Sequence, residues 1–350
     1  MIDKKSVFIN LVAEYYGAPL EQEERAYAKI NLHLEILNKR NDGFHNIFSL
    51  MAQVGLFDIL KLKSIDIDSS GLSEISVDVI ITGGDFGGFA AGIDIEENLI
   101  TKAVRNFCKE AGISGSFVFL LEKNIPAGAG LGGGSSNAAA VLRMLNRRFA
   151  LPPESLLRAA SMTGADVPFL LEGGYAICEG TGDIIESLKG GLGYAIVLVN
   201  NGIHINTGEA YLLLDRGTDF SKPDVGSMKD VIREFIRAGD LSKAGNLLVN
   251  DFEPVVFERH PVLRGIKRKM LDAGADFAFM SGSGSTIAGL FADREKALSA
   301  CESLKNEADY VALTGFSGNT IEASPSGKAP GFGPGIPGSN PGASDDFFRG

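Results

Sequence analysis

Apolar and polar residues alternate from Tyr27 to Leu37, with Ile30, Leu32, Leu34 and Ile36 on one face and Lys29, Asn31, His33 and Glu35 on the other. That period of two predicts a strand. Lys39-Arg40-Asn41-Asp42-Gly43 is a turn signal, and Phe44-His45 leads from it into the apolar stretch Ile47 to Leu60. Ile59 to Ile67 and Ile75 to Ile81 predict two strands joined by a hairpin-type turn near Ser69-Ser70-Gly71. The period then changes. From Asn98 to Ala111, Leu99, Ala103 and Phe107 share a helical face, and Gly112 ends the helix. A strand from Ser116 to Leu121 delivers a glycine-rich loop, followed by a helix with Ala138, Val141, Leu142 and Leu145 on one face. Gly83 to Gly92 reads as a loop. Pro153 to Met162 predicts the next helix, with proline in its first turn. Gly164-Ala165-Asp166-Val167-Pro168 leaves it, Tyr175 to Cys178 is a short strand, and Gly180 to Asp183 is a turn.

After Lys189-Gly190-Gly191-Leu192-Gly193 the pattern restarts with a strong strand, Tyr194 to Val199, which places a domain boundary. Helices follow over Ser227 to Ala238, with Ser227 as N-cap, over Leu241 to Asn250 and over Val262 to Ala273. Strands at Phe277 to Met280 and Thr286 to Phe291 flank Ser281-Gly282-Ser283-Gly284-Ser285. A helix from Arg294 to Ala308 and a strand from Tyr310 to Leu313 close the pattern. Four segments result: a mixed extension over 1–24 with room for one short helix, a first domain over 25–190, a second over 191–322 and a tail over 323–350. Pro325 to Gly350 holds five prolines and seven glycines among 26 residues. With so little to bury, it is expected to be disordered.

Composition narrows the function classes. A length of 350 residues suits two domains, and 45% apolar with 22% charged residues is ordinary for a soluble globular chain. The net charge of −11 argues against a general nucleic-acid surface. Cys108, Cys178 and Cys301 form no Cys-x-x-Cys, which argues against a disulfide framework or zinc site and suits a reducing cytoplasm. His33, His45, His204 and His260 show no metal-ligand spacing. The apolar run after Lys4 and Lys5 is broken by Asn10 and Glu14, too short and polar for a signal peptide or membrane span.

The candidate chemistry centres on Ile125 to Leu145, where Gly128, Gly130, Gly132, Gly133 and Gly134 crowd before Ser135, Ser136 and Asn137. Glycine permits positive φ and close approach of a ligand. The free N–H groups of the following helix make an anion site. The pattern reads as a phosphate cradle, against the alternative of a flexible linker, which the apolar strand before it and the amphipathic helix after it disfavour. It lacks the Gly-Lys-Ser/Thr of a P-loop. It matches the dinucleotide fingerprint only loosely, as Gly128-x-Gly130-x-x-Gly133. The acidic residue that fingerprint needs would be Glu154, which reads as a helix start. The valine, lysine and His-Arg-Asp partners of a protein-kinase loop are missing.

Taken together, Ala28-Lys29-Ile30-Asn31-Leu32, Asp42-Gly43-Phe44-His45, Glu97-Asn98-Leu99-Ile100, Gly128 to Asn137, Gly164 to Phe169 and Met280 to Ser285 resemble the GHMP kinases, small-molecule kinases that share these segments in this order. The departures are Phe44 where tyrosine is usual, Tyr27 where proline is usual, the N-terminal extension and the tail. The resemblance implies an α+β fold of two domains, a ribosomal-S5-like (domain 2-like) first half and a ferredoxin-like second half, with the site in the cleft between them. It implies ATP as co-substrate, with Mg²⁺ inferred from nucleotide chemistry. It further implies a cytidine-diphosphate-linked methylerythritol, of the non-mevalonate isoprenoid pathway, as acceptor. The expected agent is a cytoplasmic monomer or homodimer without nucleic-acid or membrane partners.

Residue by residue, the resemblance makes Lys29 and Asp166 the catalytic pair, with Asp166 as base and Lys29 offsetting charge on the γ-phosphate. On sequence alone, Lys29 would be a surface lysine and Asp166 a turn aspartate. ATP would meet Pro126, Ala127, Gly128, Ala129, Gly130, Leu131, Gly132, Gly133, Gly134, Ser135 and Ser136, with Asn98 and Leu99 on the adenine side. Ser135 or Ser136 is the candidate Mg²⁺ ligand. The acceptor would meet Asn31, with Phe44 on the face of a cytosine, His45 at its edge and Tyr211 as a second ring. Ser281 to Ser285 touch substrate phosphates or simply permit close packing. The alternatives are another GHMP kinase acting on homoserine, mevalonate or a sugar, and a non-catalytic nucleotide-binding protein on the same fold.

Overall fold

The alternating run that opens the pattern becomes β1 (Gln22–Lys39), antiparallel to the 23-residue β2 (His45–Ile67). This is seen in a computed structural model that describes residues 22–68, 74–83, 98–215, 225–317 and 324–325. The extension before residue 22, the turn at Ser69 to Gly71, the loop over 84–92, Glu97 and the tail after Pro325 lie outside the described residues. Both flanking segments are shorter than expected. Gln22 to Glu24 already belong to β1, and Ser324–Pro325 form β11.

β2 organises the first sheet. It runs the apolar stretch and the strand predicted after it together. Its far end pairs with β4 (Gly115–Glu122) and its near end with β5 (Tyr175–Gly180). β6 (Ile184–Leu188), absent from the periodicity reading, extends the sheet beyond β5. β3 (Ser76–Thr82) pairs in parallel with β4 rather than forming a hairpin with β2, so the predicted hairpin is wrong. Alternation identifies strands but carries no information about which strand lies beside which. Helices α1 (Leu99–Ala111), α2 (Gly133–Phe149), α3 (Pro153–Thr163) and the short α4 (Val167–Glu172) pack on this sheet. α4 falls where a plain loop was expected.

The second sheet has the order β11-β10-β7-β9-β8, from β7 (Ala195–Asn200), β8 (Phe277–Met280), β9 (Ile287–Phe291) and β10 (Tyr310–Gly315). Its β7–helices–β8–β9–helix–β10 succession is the ferredoxin-like arrangement. The helices are α5 (Thr207–Asp215), α6 (Val225–Ala238), α7 (Phe252–Arg259), α8 (Pro261–Asp272) and α9 (Arg294–Leu304). α5 and α7 were not anticipated. Ser227 lies inside the first turn of α6 rather than capping it, and Leu241–Leu247 is a 3₁₀ helix capped by Asp240 instead of an α-helix to Asn250.

One apolar cluster joins the halves: Ile30, Leu32, Phe48 and Val54 from the first sheet share it with Ile196, Leu198, Phe279 and Ala312 from the second. The outer edge of β1 is tied to the second half as well, through Leu34 N–H to Val249 O (2.8 Å) and Asp251 N–H to Leu34 O (3.0 Å). The face that carries Lys29, Asn31 and His33 is therefore not solvated.

Candidate active site

Lys29, Asn31 and His33 are 5%, 3% and 1% exposed. The surface-lysine alternative fails because the second half of the chain covers this face. Irregularities in the β1–β2 register fall on either side of Lys29 and Asn31, a device that re-aims side chains beside functional sites. Lys29 Nζ donates to Asn31 Oδ1 (2.7 Å), and Asn31 Nδ2 donates to Ser49 Oγ (2.9 Å). Ser49 in turn donates to His33 O (2.7 Å). This chain of hydrogen bonds holds the ammonium in place.

Asp166 stands at the start of α4, and its carboxylate lies 3.3 Å from Lys29 Nζ. Its side chain is 28% exposed against 6% for Lys29. The pair thus joins a buried cation to an anion that opens on a cavity of about 900 Å³. Cys178 is buried behind it, and burial, with the Asp166 charge added, pushes its thiol up to about 12.

The glycine loop passes over Lys29. Three successive carbonyls of the loop are tied back into the protein: Ala129 O to Thr286 N–H, Gly130 O to Ser281 Oγ–H and Leu131 O to Lys29 N–H. Gly132, at φ +67°, is the N-cap of α2, and no side chain among the described residues caps the first turn of that helix. A Cβ on Gly130 would come 2.2 Å from Ser281 O, and one on Gly132 would come 2.9 Å from Lys29 Cγ. These glycines are needed because the chain packs against itself there. Of the two serines, Ser136 is buried and donates to Tyr27 O (2.6 Å), whereas Ser135 lines the cavity. Asn98 caps α1 by accepting from Ile100 N–H (2.9 Å), and Leu99 Cδ1 lies 3.5 Å from a Cβ built on Gly134.

The other end of the cavity is built from side chains. His45 stacks on Tyr211 (4.6 Å between centroids, 14° between planes), and Tyr211 meets Phe252 edge-on. Burial, reinforced by the Asp166 charge, pushes the Tyr211 hydroxyl up to about 12. Phe44 also lines the cavity but is 65% exposed at its mouth. Asp215, at the end of α5, accepts from His45 Nε2 (2.7 Å) and from Lys39 Nζ (2.5 Å). Burial works to raise its carboxyl, but the bonds from Lys39 and His45 outweigh it and hold the group below its ordinary value. In the Ser281-to-Ser285 loop, Ser281 and Ser285 spend their hydroxyls on Gly130 O and Ile203 O, while Ser283 lines the cavity and meets Thr207.

Several residues that shape the site escaped sequence reasoning. Asp215 sits in a segment with no local signal, the turn signal that holds Lys39 gives no hint of a site role for it, and His204 lies close against Gly128. Asp58 and Lys123 form a buried pair beneath the loop: Lys123 Nζ reaches Asp58 Oδ2 and Ile125 O (both 2.6 Å), while Asp58 Oδ1 accepts from the Asn124 and Ile125 amides. Asp58 carries a readable signal, a charge inside the apolar run Val54 to Leu60.

Residues 98–174 match the family model for the N-terminal domain of GHMP kinases, and residues 232–309 match that for their C-terminal domain. The chain is 36% identical over 285 residues to the 4-diphosphocytidyl-2-C-methyl-D-erythritol kinase of Chlorobium chlorochromatii, covering 81% of this chain and 92% of that one. A crystal structure of 4-(cytidine 5'-diphospho)-2C-methyl-D-erythritol kinase superposes with a TM-score of 0.65 at 30% identity, over 84% of this chain and 99% of the other. Homoserine kinase from Cytophaga hutchinsonii shares the fold at 20% identity, with a TM-score of 0.62 over 89% of this chain and 99% of that one.

Proposed function

The chain belongs to the GHMP kinases, and among them to the family of the 4-diphosphocytidyl-2-C-methyl-D-erythritol kinases; on that premise we propose that it transfers the γ-phosphoryl group of ATP to a hydroxyl of 4-diphosphocytidyl-2-C-methyl-D-erythritol. The observation that carries the reading is the Lys29–Asp166 pair, which lines one cavity together with the glycine loop and the aromatic end. In this reading residues 25–190 form the ATP-binding half and residues 191–322 the second half, and the work is done in the cytoplasm. Among the described residues no helix is long and apolar enough to cross a membrane.

The triphosphate lies against the glycine loop, where the first-turn N–H groups of α2 meet its charge. Asp166 takes the proton of the acceptor hydroxyl as its oxygen bonds to the γ-phosphorus and the bond to ADP breaks. Lys29, fixed by Asn31, offsets negative charge on the migrating group. Among the described residues no cluster of three or more His, Cys, Asp or Glu could hold a metal ion alone. That suits Mg²⁺ carried in on the nucleotide, which needs only one or two protein oxygens besides phosphate. Ser135 and Asp166 are the oxygen donors that line the cavity there. Bound Mg²⁺ would neutralise phosphate charge.

The test is a screen of acceptor alcohols with ATP and Mg²⁺. Turnover is expected with the cytidine-diphosphate-linked acceptor and not with free methylerythritol, homoserine or mevalonate. Turnover of homoserine or mevalonate at a matching rate would make it another GHMP kinase. Nucleotide binding without turnover of any acceptor would make it a non-catalytic relative.

A further inference from the structure

The hydrogen bonds behind Lys29 all run one way. Lys29 Nζ donates to Asn31 Oδ1 (2.7 Å), Asn31 Nδ2 donates to Ser49 Oγ (2.9 Å), and Ser49 Oγ donates to the His33 carbonyl (2.7 Å). A carbonyl can only accept. Ser49 therefore spends its one proton on His33, and its oxygen is left to accept. Only the NH₂ side of the Asn31 amide can meet an accepting oxygen, so the C=O side is turned to Lys29. A flipped amide would set NH₂ against the ammonium and carbonyl oxygen against the Ser49 oxygen. Asn31 is 3% exposed and Ser49 is fully buried, so both mismatches would fall where a polar group without a partner is costly.

We propose that Ser49 is a positioning residue for phosphoryl transfer: it sets the direction of the Asn31 amide and thereby aims the Lys29 ammonium. The proposal rests on the kinase reaction proposed above. An ammonium carries three protons. The one held by Asn31 Oδ1 fixes the bearing of the other two, which serve Asp166, 3.3 Å away, and the cavity that Lys29 lines. Ser49 has no exposed surface and acts only through Asn31. It stands on β2 between β1 and β5, opposite Leu34 on one side and Cys178 on the other. A strand bonded along both edges holds its hydroxyl rigidly, as aiming a charge on the neighbouring strand requires.

The test compares Ser49→Thr with Ser49→Val, two side chains of one shape that differ in the hydroxyl. Ser49→Thr should keep most of the wild-type kcat. Ser49→Val should lower kcat on the order of 10- to 100-fold, the loss that follows when a catalytic group is present but misplaced. The KM values for ATP and for the acceptor should change little. A serine that only supports the fold would lower the melting temperature and leave kcat of the folded protein alone. Asn31→Ala supplies a second arm. Adding Ser49→Val to it should cost no further kcat, because the group through which Ser49 acts is gone. The melting temperature should still fall, since the His33 carbonyl loses its donor in either background. If the branched side chains prevent folding, Ser49→Ala, which only removes an atom, takes the place of Ser49→Val in both arms. Wild-type kcat in the folded protein without the hydroxyl, or a loss that multiplies with that of Asn31→Ala, would overturn the assignment of Ser49. A wild type that phosphorylates no acceptor would instead sink the proposed function itself.

Discussion

Two Lys–Asp pairs lie beneath the same loop, and they are built oppositely. Asp58 is fully buried and both of its carboxylate oxygens are held by the protein, one by Lys123 and the other by the amides of Asn124 and Ile125. Asp166 is more than a quarter exposed, and among the described residues its carboxylate meets only Lys29, at 3.3 Å. The first pair closes on itself and fixes the chain that enters the glycine loop. The second has its cation locked by Asn31 and its anion left to the cavity. A charged pair that is buried and whose carboxylate oxygens are both held by the protein is scaffold. One with capacity facing a cavity is available for chemistry. Residue type and burial of the lysine do not separate the two; satisfaction of the carboxylate does.

Breaking the open pair should have the largest effect, and on rate alone. Asp166→Asn should lower kcat about 10²–10⁴-fold, the usual contribution of a positioned base, with little change in melting temperature. A loose transition state makes proton removal late and moves this toward the low end. Lys29→Met should cost a comparable factor, and the double variant much less than the product of the two. Near wild-type kcat in a folded Asp166→Asn protein would remove that residue from the chemistry.

The closed pair should respond in the opposite currency. Lys123→Met leaves a buried carboxylate without its cation and should destabilise by about 3–5 kcal/mol. The fraction that remains folded should turn over at nearly the wild-type kcat. Replacing both partners with apolar residues, often harmless for a buried pair, should not rescue it. The Asn124 and Ile125 amides would then lose their acceptor, at about 1–3 kcal/mol each. Denaturant unfolding of the single and double variants decides this; a double variant as stable as wild type would show that those amides find other partners.

Gly132→Ala joins the two effects on a smaller scale. Its Cβ would press on the Lys29 side chain at 2.9 Å from Cγ, and its φ of +67° would cost about 1–2 kcal/mol for a residue with a side chain. A fall in kcat is expected along with a lower melting temperature. A loss confined to ATP affinity, with Lys29 chemistry intact, would mean that the ligand and not Lys29 is what the glycine accommodates.

The contrast also explains what was legible in the chain. Gly128 to Ser136 declares itself, because five glycines in seven positions have no cheaper explanation than a close approach. The strand bearing Lys29 is equally plain. Its burial is not, since the covering segments at Val249 to Asp251 and Ser281 lie more than two hundred residues away. Asp166 carries no local mark at all and gains meaning only from its family resemblance and from Lys29 opposite. The β2–β3 hairpin, α4, α5 and α7 were misjudged for the same reason. Which strand pairs with which, and whether a short apolar segment coils into a helix, is decided by long-range packing rather than by period. The same holds for Asp215, whose partners Lys39 and His45 lie about 170 residues earlier in the chain.

The smallest effect tests whether the distinction between closed and open groups extends to uncharged ones. Tyr211 is a closed ring, stacked on His45 and edge-on to Phe252. Phe44 is an open one, 65% exposed at the cavity mouth. Stacking of a planar ligand contributes roughly 0.5–1.5 kcal/mol beyond burial, or about 2- to 12-fold in affinity. Phe44→Ala should therefore raise the KM of the cytidine acceptor by about that factor, leaving the melting temperature and the KM for ATP where they were. Tyr211→Ala should raise the same KM and also lower the melting temperature, because His45 and Phe252 lose their packing partner. If Phe44→Ala leaves the acceptor KM untouched, exposure at the mouth is mere exposure, and the open-group rule holds for ionic pairs but not for rings.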